Sequence, residues 1–315
     1  MRKLFLLTLL PLYLWADAHL FVFHRFGDAR HPSTNTSVET LRAEFEYLKK
    51  NGYEVITLKR LHEALQKGEA ISDKWVVLTI DDSFKSFYEN GLPLFKAYHY
   101  PFTLFVYVQG TVGNYGDFMS WEQIRESARY GEIGLHSYGH PHLVSLSDAA
   151  IRQDTQKGLE IMQERLGSRP KYYAYPYGEY DARVRRNLEE FGFDLIINQN
   201  AGAVDSHSDP HDLDRTALTG ENTIRAKLRT RTLPTEWVIP KAWPKDGKIT
   251  TLKANLPKEL QKAEYYISGY GWESVPVKEG TLAVRIDKKL KMPRTRIFLR
   301  SGNRQSSIIL VKGKQ

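Results

Sequence analysis

Short apolar stretches alternate with amphipathic stretches over about the first 227 residues of the chain. Continuous apolar runs of about four to eight residues are typical of buried strands, whereas apolar residues three and four positions apart are typical of helices. These patterns predict strands at residues 19–26, 53–57, 75–80, 102–108, 132–135, 172–175 and 195–198. They predict helices at residues 37–51, 58–67, 90–98, 120–130, 149–166 and 181–191. Strands that are buried on both faces and separated by helices indicate a parallel α/β fold, and so many repeats favour a barrel over an open sheet.

The pattern changes after about Lys227. Turn residues then separate short segments with β character, at residues 235–240, 248–252, 264–268, 281–285, 295–299 and 307–311. They predict a small, sandwich-like all-β domain at residues 235–315, behind a barrel of residues 19–227. Some aromatic residues of this domain could contact a polymer or simply fill its apolar core, namely Tyr265, Tyr266, Tyr270 and Trp272.

The first residues of the chain have the pattern of a signal peptide. Arg2 and Lys3 precede the apolar residues 4–15, and Ala16 and Ala18 offer two cleavage positions. The apolar stretch is shorter than the roughly 20 residues that span a bilayer. We therefore expect residues 1–18 to be a signal peptide, no stable membrane span after cleavage, and a periplasmic or secreted protein. An uncleaved anchor or a buried strand is the alternative.

Composition restricts the kinds of site that the chain can form. Its 315 residues include no cysteine, so disulfides, thiolate metal sites and cysteine nucleophiles are excluded. Any metal must be bound by histidines and carboxylates. The net charge of +8 suits an anionic environment such as a cell envelope or an anionic polymer. No DNA-binding or RNA-binding signature accompanies this charge, and we expect no nucleic-acid partner.

Residues that are able to carry chemistry follow four of the predicted strands, at the point where each strand ends. In chain order they are His24, the pair Asp81 and Asp82, the pair His136 and His140, and the turn Pro176, Tyr177 and Gly178. Ligands of parallel α/β folds bind at the C-terminal ends of the strands. We therefore expect these side chains to meet at one end of the barrel, which we call the mouth.

His136 and His140 are four residues apart, a spacing that places two imidazoles on the same side of one helical turn. Two histidines and one carboxylate leave coordination positions for water and substrate, as a hydrolytic metal site requires. Neighbouring residues of a strand point in opposite directions, so one acid of the Asp pair could bind the metal while the other acts as general base. The alternative for Asp82 is the N-cap of a helix, which explains one acid but not two.

Three motifs occur in the chain in a recognisable order, namely Thr79-Ile80-Asp81-Asp82, His136-Ser137-x-x-His140 and Tyr175-Pro176-Tyr177-Gly178. In this order and at this approximate spacing they resemble the motifs of the polysaccharide deacetylases, carbohydrate esterase family four. The resemblance covers about residues 19–217, and the opening at residues 21–24 is most similar to the poly-N-acetylglucosamine deacetylase branch. It implies a distorted (β/α) barrel and metal-dependent removal of acetyl groups from N-acetylated sugars.

The resemblance also implies roles for individual residues. Asp81 would be the general base, and Arg215 would contact it. The ligands of one divalent metal, zinc with cobalt or nickel as alternatives, would be Asp82, His136 and His140. The backbone N–H of Tyr177 would help to hold the developing oxyanion.

The chain departs from the family pattern at two places. Many members have an arginine just before the third motif, where this chain has Ala174, and Arg169 lies further upstream. The Leu-x-His motif that supplies the general acid in many members is not found. His24 is then the candidate proton donor, although it could instead be a histidine that pairs with the carboxylates. His207 and His211 are interpreted as loop residues.

The sequence thus predicts metal-dependent deacetylation of N-acetylglucosamine residues in an envelope or extracellular polysaccharide, with an N-acetylated glycan polymer as the partner. A related amide or formamide hydrolase is the alternative among enzymes. A glycan-binding protein that keeps the fold without turnover is the alternative outside enzymes. The presence of the predicted base, Asp81, together with all three predicted metal ligands disfavours the last interpretation.

Overall fold

The computed structural model describes residues 17–218 and 223–313. Its strands are β1 (His19–Phe23), β2 (Arg25–Phe26), β3 (Asn35–Thr36), β4 (Glu54–Val55), β5 (Trp75–Ile80), β6 (Thr103–Val106), β7 (Glu132–Leu135), β8 (Tyr172–Ala174), β9 (Leu195–Ile197), β10 (Thr216–Ala217), β11 (Arg231–Thr232), β12 (Glu236–Ile239), β13 (Lys248–Asn255), β14 (Lys262–Ile267), β15 (Trp272–Lys278), β16 (Thr281–Lys289), β17 (Arg294–Ser301) and β18 (Arg304–Val311). Its helices are α1 (Val38–Lys50), α2 (Leu58–Lys67), α3 (Leu92–Tyr98), α4 (Val108–Val112), α5 (Trp121–Ser127), α6 (Asp148–Leu166), α7 (Ala182–Glu189) and α8 (Ile224–Lys227). Within these described ranges, no helix has both the length and the apolar character that crossing a bilayer demands.

Parallel strands of the N-terminal part form one sheet in the order β10-β1-β5-β6-β7-β8-β9, and β4 pairs with β5 outside this path. A parallel bridge between Ile197 and Leu213 joins the β9 edge to the segment that leads into β10. The sheet therefore closes into a small barrel. The predicted architecture, an α/β barrel followed by an all-β region, is confirmed.

The barrel strands are buried on both faces, as their continuous apolar pattern predicts. Val76 and Leu78 of β5 pack towards the surrounding helices, whereas Val77 packs with Phe105 in an inner cluster that includes residues of α2. Side chains alternate along a strand, so Asp81 continues the inner side of β5 beyond its last residue. The fold therefore directs the first acid of the Asp pair into the barrel.

The C-terminal part is a sheet of eight strands in the order β11-β18-β17-β14-β15-β16-β13-β12. Strand β15 belongs to both halves of this sheet, because residues 272–276 pair with β14, whereas Val277 and Lys278 pair with β16. The two halves enclose one apolar cluster, to which both contribute buried residues. The β domain thus has a core of its own.

The four aromatic residues singled out from the sequence divide between this core and the outer surface. Tyr265 is 2% exposed and lies in the core, and Tyr270 packs against the core. Tyr266 and Trp272 lie on the outer face of the sheet and contact the ring of Phe298. The core interpretation therefore holds for Tyr265 and Tyr270, whereas Tyr266 and Trp272 are available on the surface.

Asp17 and Ala18, which the sequence analysis places within the signal peptide, are part of the folded domain. Ala18 exchanges two backbone hydrogen bonds with Val204, of 2.8 and 2.9 Å. The Oδ2 atom of Asp17 accepts a hydrogen bond of 3.0 Å from the backbone N–H of Thr232, and Asp17 and Ala18 are both buried. The rest of the predicted signal peptide, residues 1–16, lies outside the described residues.

Two features of the C-terminal part differ from the patterns seen in the sequence. Strand β15 was not predicted, because it contains Pro276, which has no N–H for the strand ladder. The sheet also begins before residue 235, since β11 pairs with β18. Both differences arise from long-range pairing, which a local pattern does not reveal.

Candidate active site

The two acids of the first motif stand on a sharp turn directly after β5. Asp82 and Ser83 have φ angles of 71° and 57°, in the left-handed region that non-glycine residues rarely adopt. The turn interrupts the alternation of the strand, so that Asp82 also faces the mouth. The next helical turn begins at Phe87 and has Ser86 at its N-cap, so Asp82 caps no helix and the capping alternative is wrong.

Asp82, His136 and His140 each bring one ligand atom to the same place. Asp82 Oδ1 lies 3.2 Å from His140 Nε2 and 3.5 Å from His136 Nε2, and the two nitrogens are 3.2 Å apart. Atoms that share one metal at ligand distances of about 2.0–2.1 Å lie roughly 3.0–3.4 Å from one another. The spacing of the three atoms therefore fits one divalent metal ion.

The protonation of His136 also suits a metal ligand. Its Nδ1 donates a hydrogen bond of 2.8 Å to the carbonyl oxygen of Ala174, so the neutral ring has no proton on Nε2. Burial lowers the pKa of His136 to about 4, against the opposing charge of Asp81. The ring is therefore neutral at physiological pH. The backbone carbonyl of Ala174 thus orients one of the three residues with ligand spacing.

The loop that carries His140 is held by a carboxylate that the sequence analysis missed. Asp154 of α6 accepts hydrogen bonds from the backbone N–H groups of Tyr138 and Gly139, at 3.0 and 2.7 Å. Ser137 Oγ accepts another from the N–H of His140 at 2.7 Å. Ser137 and His140 have φ angles of 63° and 51°, so these bonds hold a strained loop in place. An acid on the sheet-facing side of α6 was the available signal.

Asp81 is fully buried and is paired with Arg215 inside the barrel. Arg215 Nη1 and Nη2 each donate to one carboxylate oxygen of Asp81 at 2.7 Å, and Nη1 also donates to Thr79 Oγ1 at 2.9 Å. Asp81 Oδ2 lies 3.8 Å from His136 Nε2. The first acid is therefore held in one orientation beside the metal-ligand atoms.

Both acids are ionised at neutral pH. Burial raises the pKa of Asp81, but the charges of Arg215 and two nearby histidines outweigh burial, and the pKa lies below its ordinary value. Burial also raises the pKa of Asp82, and a hydrogen bond from His140 together with the histidine charges reverses the shift. Asp81 can therefore accept a proton, as a general base must.

His24 follows β1, the neighbour of β5 in the barrel. Its Nδ1 atom is buried and has no hydrogen-bond partner among the described residues. Its charge contributes to lowering the pKa of both Asp81 and Asp82, so it lies within electrostatic reach of both. The structure thus places a histidine with an uncommitted ring nitrogen beside the two acids.

The third motif places Tyr177 at the edge of the mouth. Tyr177 has φ 61° and ψ 2°, and its ring centroid lies 4.4 Å from that of His140 and 4.3 Å from that of His142. Gly178 also has a positive φ, and a Cβ at this position would lie 2.3 Å from the Cβ of Gln199. The Tyr177 turn is therefore tightly packed against the segment around Gln199.

Three residues that the sequence analysis considered lie elsewhere. Arg169 Nη2 donates to the carbonyl oxygen of Phe191 at 2.9 Å. His211 Nε2 contacts the carbonyl oxygen of Phe193 at 3.0 Å, and His207 is exposed in a loop. Arg215 and not Arg169 is thus the arginine that contacts Asp81.

A second group of possible metal ligands consists of Asp28, His31 and Asp117. Arg25 pairs with the two carboxylates at 2.8 and 2.6 Å, and Arg30 pairs with them at 2.8 and 2.9 Å. These two guanidinium groups already neutralise both acids. A cation would have to displace them, so we assign no metal to this group.

Comparison with known proteins supports the resemblance seen in the motifs. The polysaccharide deacetylase family model matches residues 68–196, which include both acids of the first motif and both histidines of the second. The poly-beta-1,6-N-acetyl-D-glucosamine N-deacetylase of Escherichia coli K12 is 26% identical over 223 residues, which cover 56% of this chain and 32% of that protein. The chain therefore spans about a third of the length of this relative.

Solved structures share the fold. The deacetylase PplD of Streptococcus pyogenes, in complex with acetate, has a TM-score of 0.62 at 19% identity, over 66% of this chain and 95% of that one. IcaB from Ammonifex degensii has a TM-score of 0.57 at 24% identity, over 65% of this chain and 92% of that one. The resemblance predicted from the motifs is confirmed over residues 68–196, where the polysaccharide deacetylase model matches.

Proposed function

We propose that this protein is a metal-dependent hydrolase that removes acetyl groups from N-acetylglucosamine residues of an envelope or extracellular polysaccharide. The proposal is carried by one arrangement: Asp82, His136 and His140 have the spacing of metal ligands, and the ionised, arginine-paired Asp81 lies 3.8 Å from one of their ligand atoms. The name of the Escherichia coli relative, a poly-beta-1,6-N-acetyl-D-glucosamine N-deacetylase, supports this class of substrate.

A divalent metal bound by Asp82, His136 and His140 would polarise the acetyl carbonyl and lower the pKa of the attacking water. We favour zinc, because two imidazole nitrogens and one carboxylate oxygen with open positions are a usual donor set of catalytic zinc sites. Cobalt and nickel accept the same donors and are the alternatives.

Asp81 acts as the general base in this scheme. Its carboxylate takes a proton from the water as the oxygen–carbon bond to the acetyl group forms. Arg215 occupies one lone pair on each oxygen, and each carboxylate oxygen has a second lone pair. The oxygen Oδ2 lies on the side of His136 and meets Gln199 Nε2 only at a long distance of 3.5 Å, so it can still accept the proton.

His24 and Tyr177 complete the reaction. The backbone N–H of Tyr177 stabilises the negative charge that develops on the acetyl oxygen. His24 gives a proton to the nitrogen of the sugar as the carbon–nitrogen bond breaks. The products are acetate and the protonated amine of the sugar, so one water is consumed and atoms and charge balance once the proton on Asp81 has returned to His24.

Contact with a long polymer is assigned to the outer aromatic cluster of the C-terminal domain. Tyr266, Trp272 and Phe298 have ring centroids 5.5 to 6.2 Å apart. Phe298 lies two residues after Arg296 and therefore shares its face of β17. Arg296 Nη1 donates to the carbonyl oxygen of Gln199, in a barrel segment next to the mouth, at 2.7 Å. The cluster thus extends the surface that borders the site, and aromatic faces of this kind stack on sugar rings.

Export to the periplasm or the exterior is part of the proposal. It is supported by the signal-peptide pattern of the first residues. We favour cleavage after Ala16, because Asp17 and Ala18 are buried and hydrogen-bonded to Thr232 and Val204. Sequencing the N-terminus of the mature protein tests this position, and a mature chain that begins at residue 19 would contradict it.

The function is tested by measuring acetate release from N-acetylglucosamine oligomers, with a chelator and after each metal is added back. We expect the chelator to abolish release, zinc to restore it, and Asp81→Asn to lower kcat by about 10²- to 10⁴-fold. Release that survives the chelator or Asp81→Asn would contradict the mechanism. Oligomer binding without release under every metal would instead indicate the glycan-binding alternative.

A further inference from the structure

Strand β17 of the C-terminal domain contacts two barrel segments that border the mouth. Arg294 Nη2 donates to the carbonyl oxygen of Tyr177 at 2.7 Å, and Arg296 Nη1 donates to that of Gln199 at 2.7 Å. Gln199 Nε2 in turn lies 3.5 Å from Asp81 Oδ2. Both arginines lie beyond residue 196, where the match to the family model ends. The contacts are therefore a feature of this chain that the family motifs do not describe.

Glu179 links Arg294 to the ring of Tyr177. Its side chain is 1% exposed, Oε1 lies 3.2 Å from Arg294 Nε, and Oε2 lies 2.7 Å from His142 Nδ1. The imidazole of His142 stacks on the ring of Tyr177 with an interplanar angle of 12°. A buried carboxylate must be paired, because an unpaired one is strongly unfavourable. The pair of Arg294 and Glu179 thus contacts Tyr177 on two sides, directly at its backbone and through His142 at its ring.

The conformation of Tyr177 requires such support. Its φ of 61° lies in the left-handed region, where a non-glycine residue is strained and persists only when the surroundings hold it. Rotation towards a negative φ would reorient the peptide units on both sides of Tyr177. The N–H of Tyr177 would then leave the direction in which it can meet the acetyl oxygen.

We infer that Arg294 is a positioning residue for deacetylation: through the carbonyl oxygen of Tyr177 and the carboxylate of Glu179, it holds the Tyr177 turn so that the N–H of Tyr177 is directed to the reacting carbonyl. This role rests on the proposed function, in which that N–H stabilises the oxyanion. The C-terminal domain then contributes a positioning residue to the active site, although it lies outside the deacetylase barrel.

The kinetic test uses the full chain with zinc and a short N-acetylglucosamine oligomer. Arg294→Met should lower kcat by about 10- to 100-fold and leave KM within about twofold, because the lost contact acts on the transition state. Arg294→Lys keeps a cation that can donate to Tyr177 and should recover part of the loss. Arg300→Met is the matched control, since Arg300 shares the same face of β17 but pairs with Glu264 at 2.8 Å and lies over the ring of Trp272, which a short oligomer does not reach. Its kcat should stay within about twofold of the wild type.

Amide hydrogen exchange gives a second readout that does not need turnover. Arg294→Met should speed exchange in peptides that cover residues 175–180 and leave α6 unchanged, whereas Arg300→Met should change neither. Unchanged exchange in the turn, faster exchange throughout the barrel, or an equal loss of kcat in both variants would overturn the inference. If Arg294→Met loosens the turn but the wild type releases no acetate, the positional role stands and the proposed function fails.

Discussion

The carboxylate of Asp81 and the guanidinium of Arg215 meet through two hydrogen bonds of 2.7 Å, although 134 residues separate them in the chain. Both side chains are completely buried. In such a pair the arginine fixes the direction of the carboxylate and favours its ionised form. The proton affinity of the candidate base, Asp81, therefore depends on a residue that lies next to the last barrel strand in chain order. This dependence can be measured.

Arg215→Met should move the acid limb of the kcat/KM profile to higher pH. Burial raises the pKa of Asp81, and Arg215 is the largest influence that lowers it, so removing Arg215 leaves the acid protonated over a wider range of pH. The free energy of unfolding should fall by about 3–5 kcal/mol, because a buried charge loses its partner. Arg215→Lys keeps the charge without the paired geometry and should move the limb less. An acid limb at the wild-type position in Arg215→Met would argue against Asp81 as the base.

Metal binding should depend on Asp82 and not on the second group of acids. We expect one zinc ion per chain, and Asp82→Ala should weaken its binding by more than about 100-fold, since even an indirect partner of a ligand contributes about 10- to 100-fold. Asp117→Ala is the control, because Asp117 is already paired with Arg25 and Arg30. Calorimetric titration of zinc gives stoichiometry and affinity. Loss of the tight ion in Asp117→Ala, with retention in Asp82→Ala, would reverse the assignment.

Asp154→Ala should weaken metal binding through the loop that carries His140. The substitution leaves the N–H groups of Tyr138 and Gly139 without their acceptor, at a cost of about 1–3 kcal/mol in unfolding free energy. The affinity for zinc should fall by about 10- to 100-fold, as expected for a residue that orients a ligand. Glu160→Ala, at an exposed position of the same helix, provides the comparison. Equal zinc affinities of the two variants would mean that the loop keeps its shape without Asp154.

His24→Gln should separate proton donation from metal binding. We expect kcat to fall by about 10²- to 10⁴-fold, because the leaving nitrogen loses its proton donor. Zinc affinity should remain at the wild-type level, since His24 is not among the three residues with ligand spacing. A variant that keeps the wild-type kcat would show that another residue donates the proton.

Trp272→Ala should lower activity on long polymer and spare short oligomers. Trp272 is 38% exposed and belongs to the outer aromatic cluster, so its loss removes contacts that only a long chain can reach. Tyr130→Ala is a matched control, because Tyr130 is also exposed but precedes β7, at the opposite end of the barrel from the mouth. The ratio of kcat/KM for polymer and for a pentamer is the measured quantity. A ratio that Trp272→Ala leaves unchanged would remove the cluster from the binding surface.

The sequence predicted the barrel and the positions of the first acids and histidines because their signals are local. The residues of β5 are apolar almost throughout and are followed directly by two acids, and the spacing of His136 and His140 is visible within one turn. The pairing of Arg215 with Asp81 came from the family resemblance and not from any local pattern. The two residues meet because β10 and β5 lie on either side of β1 in the sheet.

The supporting residues could not be predicted in the same way. Asp154 acts on a loop that precedes its own helix, and although an acid on the sheet-facing side of α6 is unusual, its position does not indicate which loop it holds. Arg294 belongs to a different domain, and no sequence pattern near it indicates a contact with Tyr177. Such contacts depend on how distant elements pack, and each is specified by tertiary structure and not by hydrophobic periodicity.

The position of Arg215 at the end of the barrel has a consequence for the timing of activity. A ribosome makes the chain from its N-terminus, so Asp81, Asp82 and both histidines exist before Arg215, and Arg294 follows later still. A nascent chain that ends before Arg215 would hold the metal ligands but would have a base without its partner. On the proposed mechanism, a chain that ends before Arg215 would lack the contacts of both arginines, and we expect it to bind metal without releasing acetate.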